Sequence, residues 1–317
     1  MKTENKMEKS TSQHMGLKSW ILLLILSVLW GGSFFFIGVA VKSLPPLTIV
    51  SLRLGFASVL LWVLLLVKGV QILEMIKHWR IFLMLGIFNN VLPFILIVWA
   101  QGHISSGVAS ILNATSPIFT VVVAGVFLSD EPFTKNKILG VLCGFIGVVI
   151  LLSSGFKQWH LVDSQLLAEF AVLTAALSYS IASVFGRRIS RLKIAPMQAA
   201  TGQITVSFLL LIPFTQYFEQ PLSLANPELS IWFSVLGLAF LSTVLAYVLY
   251  FKILALAGAL NLMLVTFLIP VSAIFLGVTF LSETLSHQQI VGMLIIGMGL
   301  LFIDGRWVKL KSSKKRY

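Results

Sequence analysis

Long apolar runs separated by short polar segments make up almost all of this sequence. A helix needs about 20 mostly apolar residues to cross the hydrocarbon core of a bilayer. Ten runs are of that kind, and we predict ten membrane-spanning helices at residues 18–39, 46–67, 80–100, 104–128, 136–154, 165–185, 196–214, 230–250, 257–281 and 286–304. The runs are too long and too uniformly apolar for the alternating strands of a β-barrel. The predicted fold class is therefore an all-α integral membrane protein.

The composition supports a membrane protein rather than a soluble one. Of the 317 residues, 58% are hydrophobic and 11% are charged, and the mean hydropathy is +0.98. Soluble domains are about 45–50% apolar and about 25% charged. Cys143 is the single cysteine, so no disulfide can form within the chain. The first apolar run is too long for a signal peptide and no clear cleavage site follows it, so we expect it to remain as a helix.

Positive charge is unevenly distributed among the segments that join the predicted helices. Ten spans place both termini on one side of the membrane, and 20 of the 23 Lys and Arg residues then lie on that side. Lys42 and Lys157 lie on the other side, and Arg53 lies within a span. Because positive charge collects in cytoplasmic segments, we predict a multi-pass membrane protein with cytoplasmic tails at 1–17 and 306–317. The charge then indicates topology, with lipid headgroup contact as a second role, and no nucleic-acid partner.

The chain carries the same helix-joining segment twice. LSDEPFTKNKILGVLCGFIGVVIL at 128–151 resembles LSETLSHQQIVGMLIIGMGLLFI at 281–303, and both keep gaps of nine and seven between a glutamate and two glycines. The matching residues of the two halves are Glu131, Gly140, Gly147 and Pro117 in the first, and Glu283, Gly292, Gly299 and Pro270 in the second. We predict two five-helix repeats at 18–155 and 163–305. Because five is odd, the second repeat is inverted, which is typical of secondary transporters.

The repeated residues have structural and functional interpretations. Glycines seven apart share one helix face and allow close helix packing. Glu131 and Glu283 lie near helix starts, where the helix dipole favours a negative charge, and they are also gating candidates. Pro117 and Pro270 each remove a backbone hydrogen bond, and broken helices are where transporter sites gather.

Several of these features together resemble a known family. The chain contains W-G-G-S-F at 30–34, Pro46 followed by Arg53, and a proline separated from each repeated glutamate by 13 or 12 residues. From about residue 18 to 304 it is similar to the EamA-like transporters of the drug/metabolite transporter superfamily. The resemblance implies an inner- or plasma-membrane carrier that often exports amino acids or other small metabolites. It also implies a cavity lined by helices 1–4 and 6–9, with helices 5 and 10 more peripheral.

Polar side chains within the predicted spans are the candidate substrate contacts, because polar groups in a bilayer face the bundle interior. Arg53 is the basic residue that lies well inside a span, with Glu169 at a similar depth. We expect Arg53 either to form an ion pair with Glu169 or to bind a substrate carboxylate. The other candidates are Trp30, Ser33, Asn89, Asn90, Trp99, Gln101, Asn113, Thr115, Tyr179, Gln203, Tyr247, Tyr250 and Asn261. Serine and threonine side chains in helices also bond their own backbone, which is the structural alternative.

These features predict a secondary transporter that works by alternating access and exports amino acids or related amphipathic compounds. A sugar, nucleotide-sugar or drug carrier of the same fold is the alternative, and a non-transporting membrane sensor is the alternative from another class. Five scattered histidines have no metal-ligand spacing, and we find no phosphate-binding glycine loop. An enzyme, a channel, a metal and a cofactor are therefore not expected. Transport is predicted to be either facilitated diffusion or proton-linked through Glu169.

Overall fold

The structure is a computed structural model that describes residues 16–69, 75–128, 133–153, 164–192, 194–221 and 227–304. These residues form an all-helical bundle. Its ten helices, numbered in chain order, are α1 Leu17–Ala40, α2 Pro46–Val67, α3 Trp79–Ala100, α4 Ser106–Phe127, α5 Lys135–Leu152, α6 Ser164–Arg191, α7 Pro196–Phe218, α8 Leu229–Gly258, α9 Val265–Leu281 and α10 His287–Asp304.

The predicted number of helices is confirmed, and one of them is shorter than predicted. Among the described residues, nine helices are long and apolar enough to cross a membrane, and α9 is a shorter apolar helix of 17 residues. The predicted span 257–281 is interrupted at Gly258, whose φ of +77° ends the regular helix. The chain turns again at Met263 and Leu264 before α9 starts. Glycine is the residue that accepts a positive φ without steric cost.

Two helices contain a π-helical segment at related places. In α3 this segment is Ile87–Val91, directly after Gly86. In α8 it is Phe240–Leu245, three residues after Gly237. Gly86 and Gly237 occupy matching positions in the two repeats. Both repeats therefore carry a π segment in their third helix, at about the same position along it. A π segment changes the direction of the side chains that follow it and is frequent at functional sites.

The packing of the helices follows the repeat. α1 of the first half packs against α8 and α9, and α6 of the second half packs against α3 and α4. α2 packs against α7, and α5 packs against α10. Exchanging the two repeats, helix for helix, leaves this set of neighbours unchanged. The bundle therefore has the pairing expected of two inverted five-helix units.

Glycines allow α5 and α10 to approach closely, as their spacing predicted. A Cβ atom at Gly147 would lie 2.9 Å from the carbonyl oxygen of Gly292, and one at Gly299 would lie 2.7 Å from that of Gly140. The two pairs are equivalent when the repeats are exchanged. Both contacts involve backbone atoms, which cannot move aside as a flexible side chain can. The close approach of these two helices therefore depends on the absence of a side chain at four positions.

Candidate substrate-binding site

Arg53 lies inside the bundle and is held on two sides. Its side chain is 6% exposed. Its Nε donates a hydrogen bond to Oγ1 of Thr243 on α8 at 3.0 Å. Its Cζ lies 3.9 Å from the ring centroid of Phe94 on α3, a cation–π arrangement. Among the described residues, none accepts a hydrogen bond from the two terminal amino groups of Arg53.

Three polar side chains from different helices meet beside Arg53. Nδ2 of Asn89 donates to Oε1 of Gln203 at 3.3 Å and lies 3.5 Å from the hydroxyl of Tyr247. Nε2 of Gln203 donates to that same hydroxyl at 3.3 Å. The hydroxyls of Tyr179 and Tyr247 are both within electrostatic range of Arg53. Tyr247 therefore contacts the amides of α3 and α7, and it lies one turn after Thr243, the residue of α8 that accepts from Arg53.

Aromatic rings form an apolar wall next to these polar groups. The ring centroids of Trp30 on α1 and Tyr250 on α8 are 5.8 Å apart. Tyr250 is also edge-on to Phe251, at 5.3 Å. We use the name central cluster for the seven predicted residues that the structure places in this region, which are Trp30, Arg53, Asn89, Tyr179, Gln203, Tyr247 and Tyr250. The central cluster combines one cation, hydrogen-bonding groups and aromatic faces.

Three of the predicted amides, Asn90, Gln101 and Asn113, have a buried side-chain oxygen with no hydrogen-bond partner among the described residues. Asn90 is fully buried, and its Nδ2 donates to Ser207 at 3.2 Å while its Oδ1 has none. Asn113 is half-buried at the end of the first segment of α4, and its Oδ1 also has none. Ser33 is buried on α1. Asn90, Asn113 and Ser33 lie on the helices that supply or flank the central cluster.

The remaining candidates contact residues outside the central cluster. Trp99 is 36% exposed and its ring is 4.9 Å from that of His103. Thr115 donates to the carbonyl oxygen of Leu112 in its own helix at 2.6 Å. The two other candidates of this kind are Gln101, which donates to the Phe34 carbonyl oxygen at 2.8 Å, and Asn261, which donates to that of Ala257 at 2.9 Å.

Glu169 is fully buried on α6. Its Oε1 accepts a hydrogen bond from Nε2 of Gln165, one turn earlier, at 3.1 Å. Arg53, its predicted partner, contacts Thr243 and Phe94. The Arg53–Glu169 ion pair, and a role for Glu169 in coupling, stay predictions.

Two carboxylates of the second half hold the starts of two helices of the first half. Glu283 accepts hydrogen bonds from the backbone N–H groups of Ser106 and Gly107, at 2.8 and 3.2 Å, at the start of α4. Glu219 accepts from the N–H groups of Leu47 and Thr48, at 2.9 and 2.6 Å, at the start of α2. Unpaired N–H groups and the helix dipole make such ends favourable for a carboxylate. Both contacts lie at the same end of the bundle.

The other gating candidates are placed as follows. The dipole interpretation of Glu283 applies to α4 in the other repeat and not to α10, the helix that follows Glu283 in the chain. Glu131 lies outside the described residues. Pro117 is in the first turn of the second segment of α4, after the break at Ala114 and Thr115. Pro270 is inside α9. A gating role for these residues stays a prediction.

Three residues that hold the site or the helices around it were not predicted from the sequence. Phe94 resembles any other apolar residue of a span, and Thr243 any other hydroxyl that bonds its own helix. Glu219 lies between two predicted spans, and its partners are 171 and 172 residues away in the chain, so the sequence does not indicate these contacts. The arginine within a span was the available signal, since a buried guanidinium requires neighbours that compensate its charge.

Comparisons with known proteins agree with the fold and the repeat. The profile of the EamA-like transporter family matches residues 18–153 and 166–304. A solved crystal structure, 19% identical, superposes with a TM-score of 0.64 and covers 90% of this chain and 96% of its own. This likeness supports the fold alone.

Curated relatives match along most of their length. The uncharacterized transporter YoaV of Bacillus subtilis is 27% identical over 88% of this chain and 95% of its own. A protein of Salmonella typhimurium named a "probable amino-acid metabolite efflux pump" is 25% identical, over 90% and 94%. The uncharacterized inner membrane transporter YedA of Escherichia coli is 25% identical, over 89% of both chains. Since the family profile matches both halves, this chain is a multi-pass membrane protein that belongs to the EamA-like transporter family, a family of transporters and not of enzymes.

Proposed function

We propose that this transporter exports amino acids or related amphipathic metabolites by alternating access, and that it binds them at the central cluster. The observation that carries the proposal is the buried Arg53, whose terminal amino groups have no acceptor among the described residues. A guanidinium with two free donors on one edge suits a carboxylate, which can accept both hydrogen bonds at once. A charge at this depth is costly without such a partner.

The other groups of the central cluster suit the rest of an amino acid. The rings of Trp30 and Tyr250 offer an apolar wall for a side chain. Aromatic faces and amide oxygens also attract an ammonium group, so no carboxylate of the protein is needed there. The Salmonella relative, whose name refers to amino-acid metabolites, is in line with this substrate class.

Alternating access is supported by the arrangement of the two halves. Each half packs on the other through equivalent helices, and in inverted repeats two mirrored packings can give the two states of alternating access. At one end, Glu219 and Glu283 connect the halves. We assign to these carboxylates the closing of that end, while the central cluster stays between the halves.

Counterflow in proteoliposomes tests the substrate class. Vesicles that contain the purified protein are loaded with one unlabelled amino acid, and uptake of the same labelled amino acid is followed. We expect saturable uptake that requires the internal load, because a carrier exchanges its substrate. The measurement is repeated with an imposed pH gradient. A rate that follows the gradient indicates proton coupling, and a rate that ignores it indicates facilitated diffusion.

Three outcomes would contradict the proposal in different ways. Exchange of sugars or drugs without exchange of amino acids would show that the protein is a carrier of a different substrate class. Flux that neither saturates nor shows counterflow would indicate that the protein is a channel and not a carrier. A folded protein that exchanges no compound of the panel would favour the sensor alternative. Vesicles without protein are the control for leakage.

We further propose that both termini are cytoplasmic, which would place the Glu219 and Glu283 contacts at the outer end. The proposal rests on the basic residues, of which 20 of 23 fall on one side. A fluorescent protein fused after Tyr317 is expected to fluoresce, and alkaline phosphatase at that position to be inactive. The matched control is the same pair fused after Leu152, at the end of α5, where the opposite result is expected. Active phosphatase after Tyr317 would reverse the orientation.

A further inference from the structure

The π-helical segment of α8 changes what the hydroxyl of Thr243 can do. Oγ1 of Thr243 donates a hydrogen bond to the carbonyl oxygen of Leu238, five residues earlier, at 2.8 Å. In a regular α-helix a threonine bonds the carbonyl three or four residues earlier. The longer interval matches the wider turn of Phe240–Leu245. The π segment therefore fixes the direction of the Thr243 hydroxyl.

A fixed hydroxyl acts on Arg53 in one way only. A threonine hydroxyl has one proton to donate and lone pairs that accept. Because that proton is used by Leu238, the oxygen of Thr243 is available to Arg53 as an acceptor, and Nε of Arg53 donates to it at 3.0 Å. Thr243 is 1% exposed, so water does not compete for this position. The hydrogen bond sets the rotation of the guanidinium about its last bonds.

Phe94 restrains the guanidinium in the remaining direction. Its ring covers one face of Arg53, with 3.9 Å from Cζ to the ring centroid. The edge that carries Nε and one planar face are then occupied by protein. The edge that carries the two terminal amino groups is left, and no described residue accepts from it. This edge presents two parallel donors, which can bind both oxygens of a carboxylate.

We infer that Thr243 and Phe94 are positioning residues, which aim the terminal amino groups of Arg53 at a substrate carboxylate. The inference rests on the proposed function and makes the π segment of α8 part of the binding site. It also assigns specificity, since a substrate is selected by a carboxylate that fits the orientation of the guanidinium and not by positive charge alone. Substrates without a carboxylate gain nothing from this orientation.

The test compares Thr243→Val with Thr243→Ser. Valine keeps the shape and removes the hydroxyl, and serine keeps the hydroxyl. With the amino acid that exchanges fastest in counterflow, we expect Thr243→Val to raise the half-saturating concentration about tenfold while the maximal rate changes less than twofold. Thr243→Ser is expected to stay within about threefold of the parent protein. Competition by the carboxamide of that amino acid, which lacks the carboxylate, is expected to be the same in all three proteins.

The double variant Arg53→Gln/Thr243→Val separates positioning from a general defect. If Thr243 acts through Arg53, the double variant has the same half-saturating concentration as Arg53→Gln alone. If Thr243 only supports the fold, the two effects multiply, and the inference is overturned. Phe94→Leu, which removes the aromatic face and keeps an apolar side chain, is expected to raise the same quantity about threefold.

Failure of this inference is distinct from failure of the proposed function. If Arg53→Gln impairs binding and Thr243→Val does not, Arg53 binds the carboxylate without help from the π segment, and only the positioning role is lost. If folded protein exchanges no amino acid, or if Arg53→Gln has no effect, the proposed function is lost and this inference with it.

Discussion

Arg53→Gln is expected to raise the half-saturating concentration of an amino-acid substrate about 100-fold in counterflow. Arg53 lies buried, with Thr243 on one edge and Phe94 on one face. Hydrogen bonds to a charged group contribute about 1.5–3 kcal/mol each. A loss of about 3 kcal/mol corresponds to roughly a 100-fold change in affinity. Glutamine offers one amide and no charge, so it replaces the pair of bonds poorly.

Two further variants show whether the effect belongs to the guanidinium at this place. Arg53→Lys keeps the charge and loses the planar pair of donors, so its effect should lie between those of the parent and Arg53→Gln. Arg80→Gln is the matched control, because Arg80 is exposed at the start of α3. It should transport as the parent protein does. Normal apparent affinity in folded Arg53→Gln would show that Arg53 does not bind the carboxylate.

The helices were predictable because their signal is local. A run of about 20 apolar residues has one stable form in a bilayer, and the starts of α2 and α7 agree with the prediction to the residue. The π segments were not predictable in this way. Nothing in the residues of Ile87–Val91 or Phe240–Leu245 separates a π turn from an α turn, and the choice between them depends on contacts with other helices.

The residues of the central cluster could be predicted from the sequence, but the contacts between them could not. A polar residue in a span has to face the interior, so Arg53, Asn89 and Gln203 could be named from the sequence. Which of them touch is decided by the packing of helices far apart in the chain. Trp99 shows the limit, since its residue type suits both a binding site and the 36% exposed position that it occupies near the end of α3.

The two halves have the same helix arrangement, but they contribute different polar side chains to the site. Matching helices α3 and α8 carry the π segments, but α3 provides the amides Asn89 and Asn90 and α8 provides Ser242 and Thr243. Arg53 lies seven residues after Pro46 of α2, and the residue seven after Pro196 of α7 is Gln203. The inverted repeat therefore explains how the bundle packs, while the polarity of the site comes from the differences between the repeats.

Gly299→Leu is expected to destabilise the folded protein strongly. Even a Cβ atom at this position would lie 2.7 Å from the carbonyl oxygen of Gly140 and 2.8 Å from the backbone nitrogen of Gly144. Because both are backbone atoms, α5 and α10 have to move apart and lose contacts along their length. Overpacking of this kind costs about 1–3 kcal/mol, occasionally more. We expect the thermal midpoint in detergent to fall by on the order of 10 °C.

The matched control is Gly297→Leu, two residues earlier on the same helix. A Cβ atom at Gly297 would meet no heavy atom within 4 Å, and leucine is a better helix former than glycine. The same substitution should therefore leave the thermal midpoint unchanged or raise it slightly. The difference between the two variants isolates the helix contact, since propensity and added apolar surface are the same in both. Equal midpoints would mean that α5 and α10 do not depend on their glycines, and a loss in both would mean that α10 accepts no larger side chain on either face.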